Sequence, residues 1–343
     1  MATTKIKPKQ TVKRLISILP DRAQDVVISR FGLGKTPTRL TLEAIGKKYG
    51  ITRERVRQVE TYAINHIRKS DVYKKEKAAF DELEATMHEM GCVVAEEDLL
   101  NHFAKDQSTQ NHIRFLLVVG DHFNRAKEDD EFKHRWYVDA ELSEKVHESL
   151  RRLYRGLNDN DLLPESEIIS SFLDHLKDIS EKYKNEEVVR RWLSISKAIA
   201  KNPLGEWGKA TSPNVKVRGI RDHAFLALRK HGSPIHFQDV AAAIEKMFGR
   251  KAHVATTHNE LIKDKRFVLV GRGLYALAEW GYVPGVVRDV IRHILTKHGP
   301  LTKDEIIEKV LKERYVKENT ILVNLQNQNY FKKDKDNRYT AVS

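Results

Sequence analysis

Residues 40–69 read LTLEAIGKKYGITRERVRQVETYAINHIRK, and the spacing of their apolar side chains decides what this part of the chain can be. Thr41 is placed to cap a helix with Glu43 in its first turn, and Leu42, Ile45 and Tyr49 fall on one face of its two turns. Gly50 supplies a tight turn. Thr52 caps a second helix, in which Val56, Val59, Ala63 and Ile67 recur at intervals of three and four and face inward. At about 100° per residue, Glu54, Arg57, Gln58, Thr61 and Asn65 then point outward, with Arg53 and Arg55 flanking them at the N-terminal end. Short helix, glycine turn, longer polar-faced helix is a helix-turn-helix.

The major groove of DNA admits one α-helix, and Arg on guanine, Gln on adenine and Glu on cytosine are its usual readers. Arg53, Glu54, Arg57 and Gln58 are of those types, although the same residues also form ordinary solvated helices. The string closely resembles region 4 of the primary sigma factor family, the domain that reads the −35 promoter element. The resemblance covers about residues 14–70 and is most specific from Thr52 to Glu60. It implies that Arg53, Glu54 and Gln58 approach base edges, while Thr52, Arg55 and Arg57 lie near the backbone or flanking bases. It also implies two partners, double-stranded DNA and the β flap of core RNA polymerase. With nothing before Met1 to supply the promoter-melting regions, the chain is expected not to be a complete initiating sigma factor.

Upstream, Val12 to Phe31 reads as two short helices interrupted by Pro20, after a disordered basic start. Gly32, Gly34 and Pro37 mark a loop. Gly34-Lys35-Thr36 looks like the end of a phosphate-cradling loop, but Ser29 stands where that loop needs glycine and no strand precedes it, so a nucleotide site is rejected.

Downstream the chain repeats. MHEMGCVVAEEDLLNHF (87–103), LRKHGSPIHFQDVAAAI (228–244) and LTKHGPLTKDEIIEKV (295–310) share a helix end, a glycine, an apolar residue, a polar cap and another helix, and NDLLPESEIISSFLDHL (160–176) is a weaker copy. Val93, Leu162, Ile235 and Leu301 are equivalent points, which gives a period near 70 residues. Strand-like material is expected at 115–118 and 136–138 in the first copy, 267–270 and 274–277 in the third, and 330–331 and 339–342 in the fourth, the last two pairs turning at Gly271-Arg272-Gly273 and Asp336-Asn337. Helices followed by a hairpin make a winged helix. Residues 219–281 resemble the HARE-HTH family, winged helices of RNA polymerase delta-type subunits, some restriction enzymes and chromatin proteins. Within that unit Lys263, Lys265, Arg266 and Arg272 are candidate phosphate contacts, or simply solvated surface charges.

Charge follows the same division. Residues 1–77 carry 19 Lys/Arg against 7 Asp/Glu, residues 78–217 carry 19 against 27, and residues 218–343 carry 23 against 14, for a net +13 over 343 residues. Basic ends attract a polyanion and an acidic middle repels one. The single cysteine, Cys92, excludes a disulfide framework and multi-cysteine zinc sites. No run reaches the ~20 apolar residues of a membrane span, and the start lacks a signal-peptide core, so a cytoplasmic, nucleoid-associated protein is expected. His231, His236, His253 and His258 lack partners at metal-ligand spacing, the acidic run 128–131 reads as a solvated turn, and no nucleophile–base set is visible. The expectation is no enzyme, no catalytic residue, no metal and no cofactor.

The expected fold is mainly α with small β-hairpin wings: a helix-turn-helix at 1–77, then winged-helix units at 78–140, 141–212 (degenerate, with a linker), 213–281 (HARE-HTH) and 282–343. Expected function is a DNA-binding transcription factor associated with RNA polymerase. The alternative is a protein-binding regulator that occupies the β flap and competes with sigma factors without reading DNA. A restriction-system specificity subunit rests on the HARE-HTH resemblance alone and lacks a nuclease motif.

Overall fold

The computed structural model describes residues 6–176 and 180–342. The chain divides into two compact units, residues 1–200 with 207–210, and residues 201–206 with 211–343. Both are mainly helical with small antiparallel sheets. No described helix is long and apolar enough to cross a membrane.

The first unit opens with α1 (Pro8–Ile16) and α2 (Asp21–Phe31), which Pro20 separates as its missing N–H requires. The first helix starts four residues earlier than the apolar spacing suggests, because Pro8 is pre-organised for the first helical position. Then follow α3 (Leu42–Tyr49), α4 (Arg53–Arg68) and a short α5 (Asp71–Lys75). Val26, Ile45 and Val56 form a small core joining α2, α3 and α4.

A larger core does not stop at residue 77. Leu15, Val27, Phe31, Ala63 and Ile67 share it with Phe80, Leu83, Ile113, Phe115 and Trp136. The Phe31 and Phe115 rings meet edge-on with centroids 5.0 Å apart. A fully buried Leu, Val, Ile or Phe side chain in this core contributes roughly 1.5–3 kcal/mol. The helix-turn-helix is therefore anchored on the segment that follows it.

That segment runs α6 (Lys77–Glu89), β1 (Val93–Ala95), α7 (Glu96–Phe103), α8 (Gln107–Val119), β2 (Asn124–Ala126) and β3 (Arg135–Tyr137), with β3 in the middle of the sheet. Next come α9 (Ala140–Gly156), α10 (Glu165–Asp174), α11 (Glu186–Ile195) and the pair β4 (Ile199–Lys201) and β5 (Trp207–Lys209), where Leu163 alone bridges to Trp207 in place of a first strand.

In the second unit, α12 (Ile220–His231), β6 (Ile235–His236), α13 (Phe237–Phe248), α14 (Val254–Lys263), β7 (Phe267–Leu269) and β8 (Leu274–Leu277) have the order β6-β8-β7. The final segment, α15 (Val287–His298), β9 (Leu301–Thr302), α16 (Lys303–Glu313), α17 (Glu318–Leu325), β10 (Phe331–Lys333) and β11 (Arg338–Ala341), repeats it as β9-β11-β10. Val93, Ile235 and Leu301 each open the first strand of their segment, so the repeat register agrees with the sequence reading. Asn337, at φ 63°, makes the turn before β11.

One expected strand is a helix. Residues 115–118 lie inside α8, where Phe115, Leu116 and Leu117 are completely buried. A continuous apolar run fits a buried strand or a buried helix equally, and here the helix is wrapped by α1, α2, α4 and α7.

Candidate nucleic-acid interface

The geometry of α3 and α4 is set locally. Thr41 Oγ1 accepts from the Ala44 N–H at 3.1 Å, and Thr52 Oγ1 accepts from the Arg55 N–H at 3.2 Å, so both helix starts are capped by side chains. Between them Gly50 is left-handed at φ 65°, a conformation glycine adopts without Cβ strain. Val56, Ala63 and Ile67 are fully buried and Val59 is partly so, which turns Arg53, Glu54, Arg55, Arg57, Gln58, Thr61 and Asn65 to solvent. The outward face is the one the 3.6-residue period assigns.

Its polar groups are tied to one another. Arg57 donates to Glu54 through Nε at 2.9 Å and through NH2 at 2.6 Å, and Arg55 NH1 donates to Gln58 Oε1 at 3.0 Å. The hydrogen bonds from Arg57 hold the Glu54 carboxyl below the ordinary range and raise the guanidinium in turn. Such exposed pairs are solvent-screened and readily exchanged for another partner. Arg53 makes no hydrogen bond or ion pair among the described residues, so its guanidinium projects unengaged from the first turn of α4.

A second basic cluster lies beside α4. Glu96, 8% exposed, accepts from Arg114 at 2.9 Å, Arg125 at 2.8 Å and Trp136 Nε1 at 2.9 Å. Burial pushes its carboxyl up, but the Arg125 hydrogen bond and the charges of Arg114 and Arg125 outweigh burial and leave it below the usual range. Arg30 donates to the Leu40 carbonyl at 3.1 Å and to Glu60 at 3.4 Å. Arg39 stands at the rim, exposed, without a hydrogen bond or ion pair among the described residues. Sequence reasoning missed this group because its members come from α2, the loop to α3, α8 and β2, and no linear spacing connects them.

In the second unit Lys263, Lys265 and Arg272 are exposed, Arg272 at the β7–β8 turn. Arg266 is placed differently. Its guanidinium donates to Asp264 at 2.6 Å, to Asp222 at 2.8 Å and to Asn214 Oδ1 at 2.7 Å, and those carboxylates outweigh the effect of burial to raise it. So occupied, Arg266 ties α12 to the start of β7 and is not displayed for a phosphate. The four histidines also have local roles. His236 Nδ1 accepts from the Gln238 N–H at 3.4 Å, His258 stacks on Phe237 at 4.1 Å, His231 contacts Ser233 at 3.0 Å, and His253 precedes α14. Among the described residues no group of three or more His, Cys, Asp or Glu is arranged to hold a metal ion.

Comparison with known proteins places the same segment. Residues 15–69 match the sigma-70 region 4 family. Over 60 residues the chain is 42% identical to the RNA polymerase sigma factor SigA of Listeria monocytogenes, and equally to that of Listeria innocua. The match spans 18% of this chain and 16% of each relative.

Proposed function

We propose that this chain is a DNA-binding transcription factor that works with RNA polymerase, and that α4 reads a promoter-like duplex from the major groove. The observation carrying this reading is the exposed row Arg53, Glu54, Gln58 set opposite buried Val56, Ala63 and Ile67, inside the segment that matches region 4. In this reading Arg53, Glu54 and Gln58 approach base edges, and Thr52, Arg55 and Arg57 approach the backbone or flanking bases. The helix-strand-helix-helix-strand-strand order of three later segments supports reading them as winged-helix units at 78–140, 213–281 (of HARE-HTH type) and 282–343, and 141–212, where the Leu163–Trp207 bridge replaces the first strand, as a degenerate copy. Lys263, Lys265 and Arg272 then belong to a phosphate-facing surface. The acidic middle acts as a spacer or protein-binding module, and the protein works on nucleoid DNA in the cytoplasm.

A second reading is favoured by the internal pairing of Glu54 with Arg57 and of Arg55 with Gln58. In it the same segment occupies the β flap of the polymerase and competes with sigma factors without reading bases. Binding of the isolated protein to duplexes of defined and scrambled sequence separates the two. Discrimination between duplexes supports base reading. Polymerase-dependent recruitment with no discrimination supports the flap reading.

A further inference from the structure

We infer that the arginine cluster beside α4 is a binding site for a phosphate group, built jointly by the helix-turn-helix and the segment after it. Its cavity, about 460 Å³ and open to solvent, is lined by Arg30, Arg39, Arg114 and Arg125 with Glu60 and Trp136. Two features make it a prepared site. Buried Glu96 fixes the Arg114 and Arg125 guanidiniums by direct hydrogen bonds, so their remaining N–H groups are held in place without a further ordering cost. Among the described residues, the carboxylates set against these four guanidiniums are Glu96 and Glu60, and both are already engaged. An excess of positive charge remains, and among the described residues Arg39 makes no hydrogen bond or ion pair.

Partial desolvation first, and then the like charges of Arg114, Arg125 and Arg30 against the pull of Glu96, lower the proton affinity of Arg39. A phosphate oxygen in the cavity relieves that repulsion and accepts from a planar guanidinium fork, the geometry phosphate suits best. Glu60 belongs to α4 and Thr41 caps α3, so both helices of the helix-turn-helix contribute to the wall of the cavity. The phosphate can come from the backbone of a duplex lying on α4 or from a free phosphorylated small molecule. Only the first source rests on the function proposed above.

The test uses the full chain and Arg39→Glu, which removes no internal partner, with Lys105→Glu as an equal charge reversal in the α7–α8 loop. Duplex affinity is measured as a function of salt on defined and random sequences, and thermal protection is measured with inorganic phosphate and pyrophosphate. For a backbone phosphate, Arg39→Glu weakens both duplexes at least tenfold and flattens the salt slope by about 0.9 for each phosphate that is no longer neutralised, while Lys105→Glu changes little. For a free ligand, duplex binding is unaltered, and phosphate or pyrophosphate protects the native chain but not Arg39→Glu. If the native chain binds no duplex, the function proposed above fails and the protection arm alone decides the cavity. Equal behaviour of Arg39→Glu and the native chain in both arms overturns the site.

Discussion

Asn111, buried on α8, donates through Nδ2 to the carbonyl oxygen of Gly32 at 3.2 Å, across 79 residues of sequence. The same amide group reaches the Pro37 carbonyl at 2.8 Å, and Asn111 Oδ1 accepts from Gln107 and Arg114. The loop that delivers the chain into α3 is thus fixed by a residue from outside the helix-turn-helix.

Replacing Asn111 with Ala strands the buried Gly32 carbonyl and the half-buried Pro37 carbonyl, at a cost of about 1–3 kcal/mol. Gly32→Ala has the same consequence from the other side, because Gly32 is at φ 65° and a Cβ there lies 2.7 Å from both Asn111 Nδ2 and Pro37 O. Urea unfolding of both variants should show midpoints below that of the native chain. An unchanged midpoint for either would mean the loop is not held this way.

Fragment behaviour follows from the shared core. A fragment of residues 1–77 loses Phe115, Ile113 and Trp136 from the core of Phe31 and Ile67 and is expected to fold poorly, whereas 1–140 keeps them. Circular dichroism melting of the two fragments checks this, with a cooperative transition expected only for the longer. A cooperative transition in 1–77 alone would show that the first core is self-sufficient.

Acid sensitivity should have an identifiable source in His147. It stacks on Phe132 at 4.5 Å and accepts from Arg135 Nε at 2.7 Å, so it is neutral when folded. Burial first, then the charge of Arg135, pushes its pKa down to about 4 from 6.5. The unfolded chain therefore binds more protons between those values, and stability is present above about pH 6.5 and lost as pH falls toward 4. Between about pH 7.5 and about pH 5 the loss from this group is on the order of 2 kcal/mol. His147→Gln should flatten that part of the stability profile, and an equal slope in both proteins would assign the acid sensitivity elsewhere.

The exposed cations of the second unit predict weak, salt-sensitive duplex binding by residues 211–343 alone. Lys263→Ala with Arg272→Ala should lower that affinity without altering sequence preference, whereas Arg266→Ala should mainly lower the melting temperature, because it breaks the bridge to Asp222 and Asp264. A strong affinity loss from Arg266→Ala with unchanged melting would restore Arg266 to the surface.

How much of this was legible in the sequence depends on the range of the forces. The α3–turn–α4 unit was readable because its caps, Thr41 and Thr52, act on residues three positions away and its buried stripe repeats every three to four. The repeat register at Val93, Ile235 and Leu301 was readable for the same reason. The strand expected at 115–118 failed because α8 is buried nearly all round, which erases the amphipathic period. Arg266 looked like a surface cation because two of its partners, Asp222 and Asn214, are 44 and 52 residues away, although Asp264 is only two residues away. Glu96, Arg114 and Arg125 converge only after α7, α8 and β2 have been brought together, a juxtaposition that no local pattern encodes.

The central claim is that α4 reads bases, and selection of bound sites from a randomised duplex tests it most directly. The native chain should enrich one defined motif. Arg53→Ala and Gln58→Ala should each lose about 1–3 kcal/mol on that motif and relax preference at one position, with little loss on random DNA. Enrichment of no motif, or equal losses on selected and random duplexes, would contradict base reading by this helix.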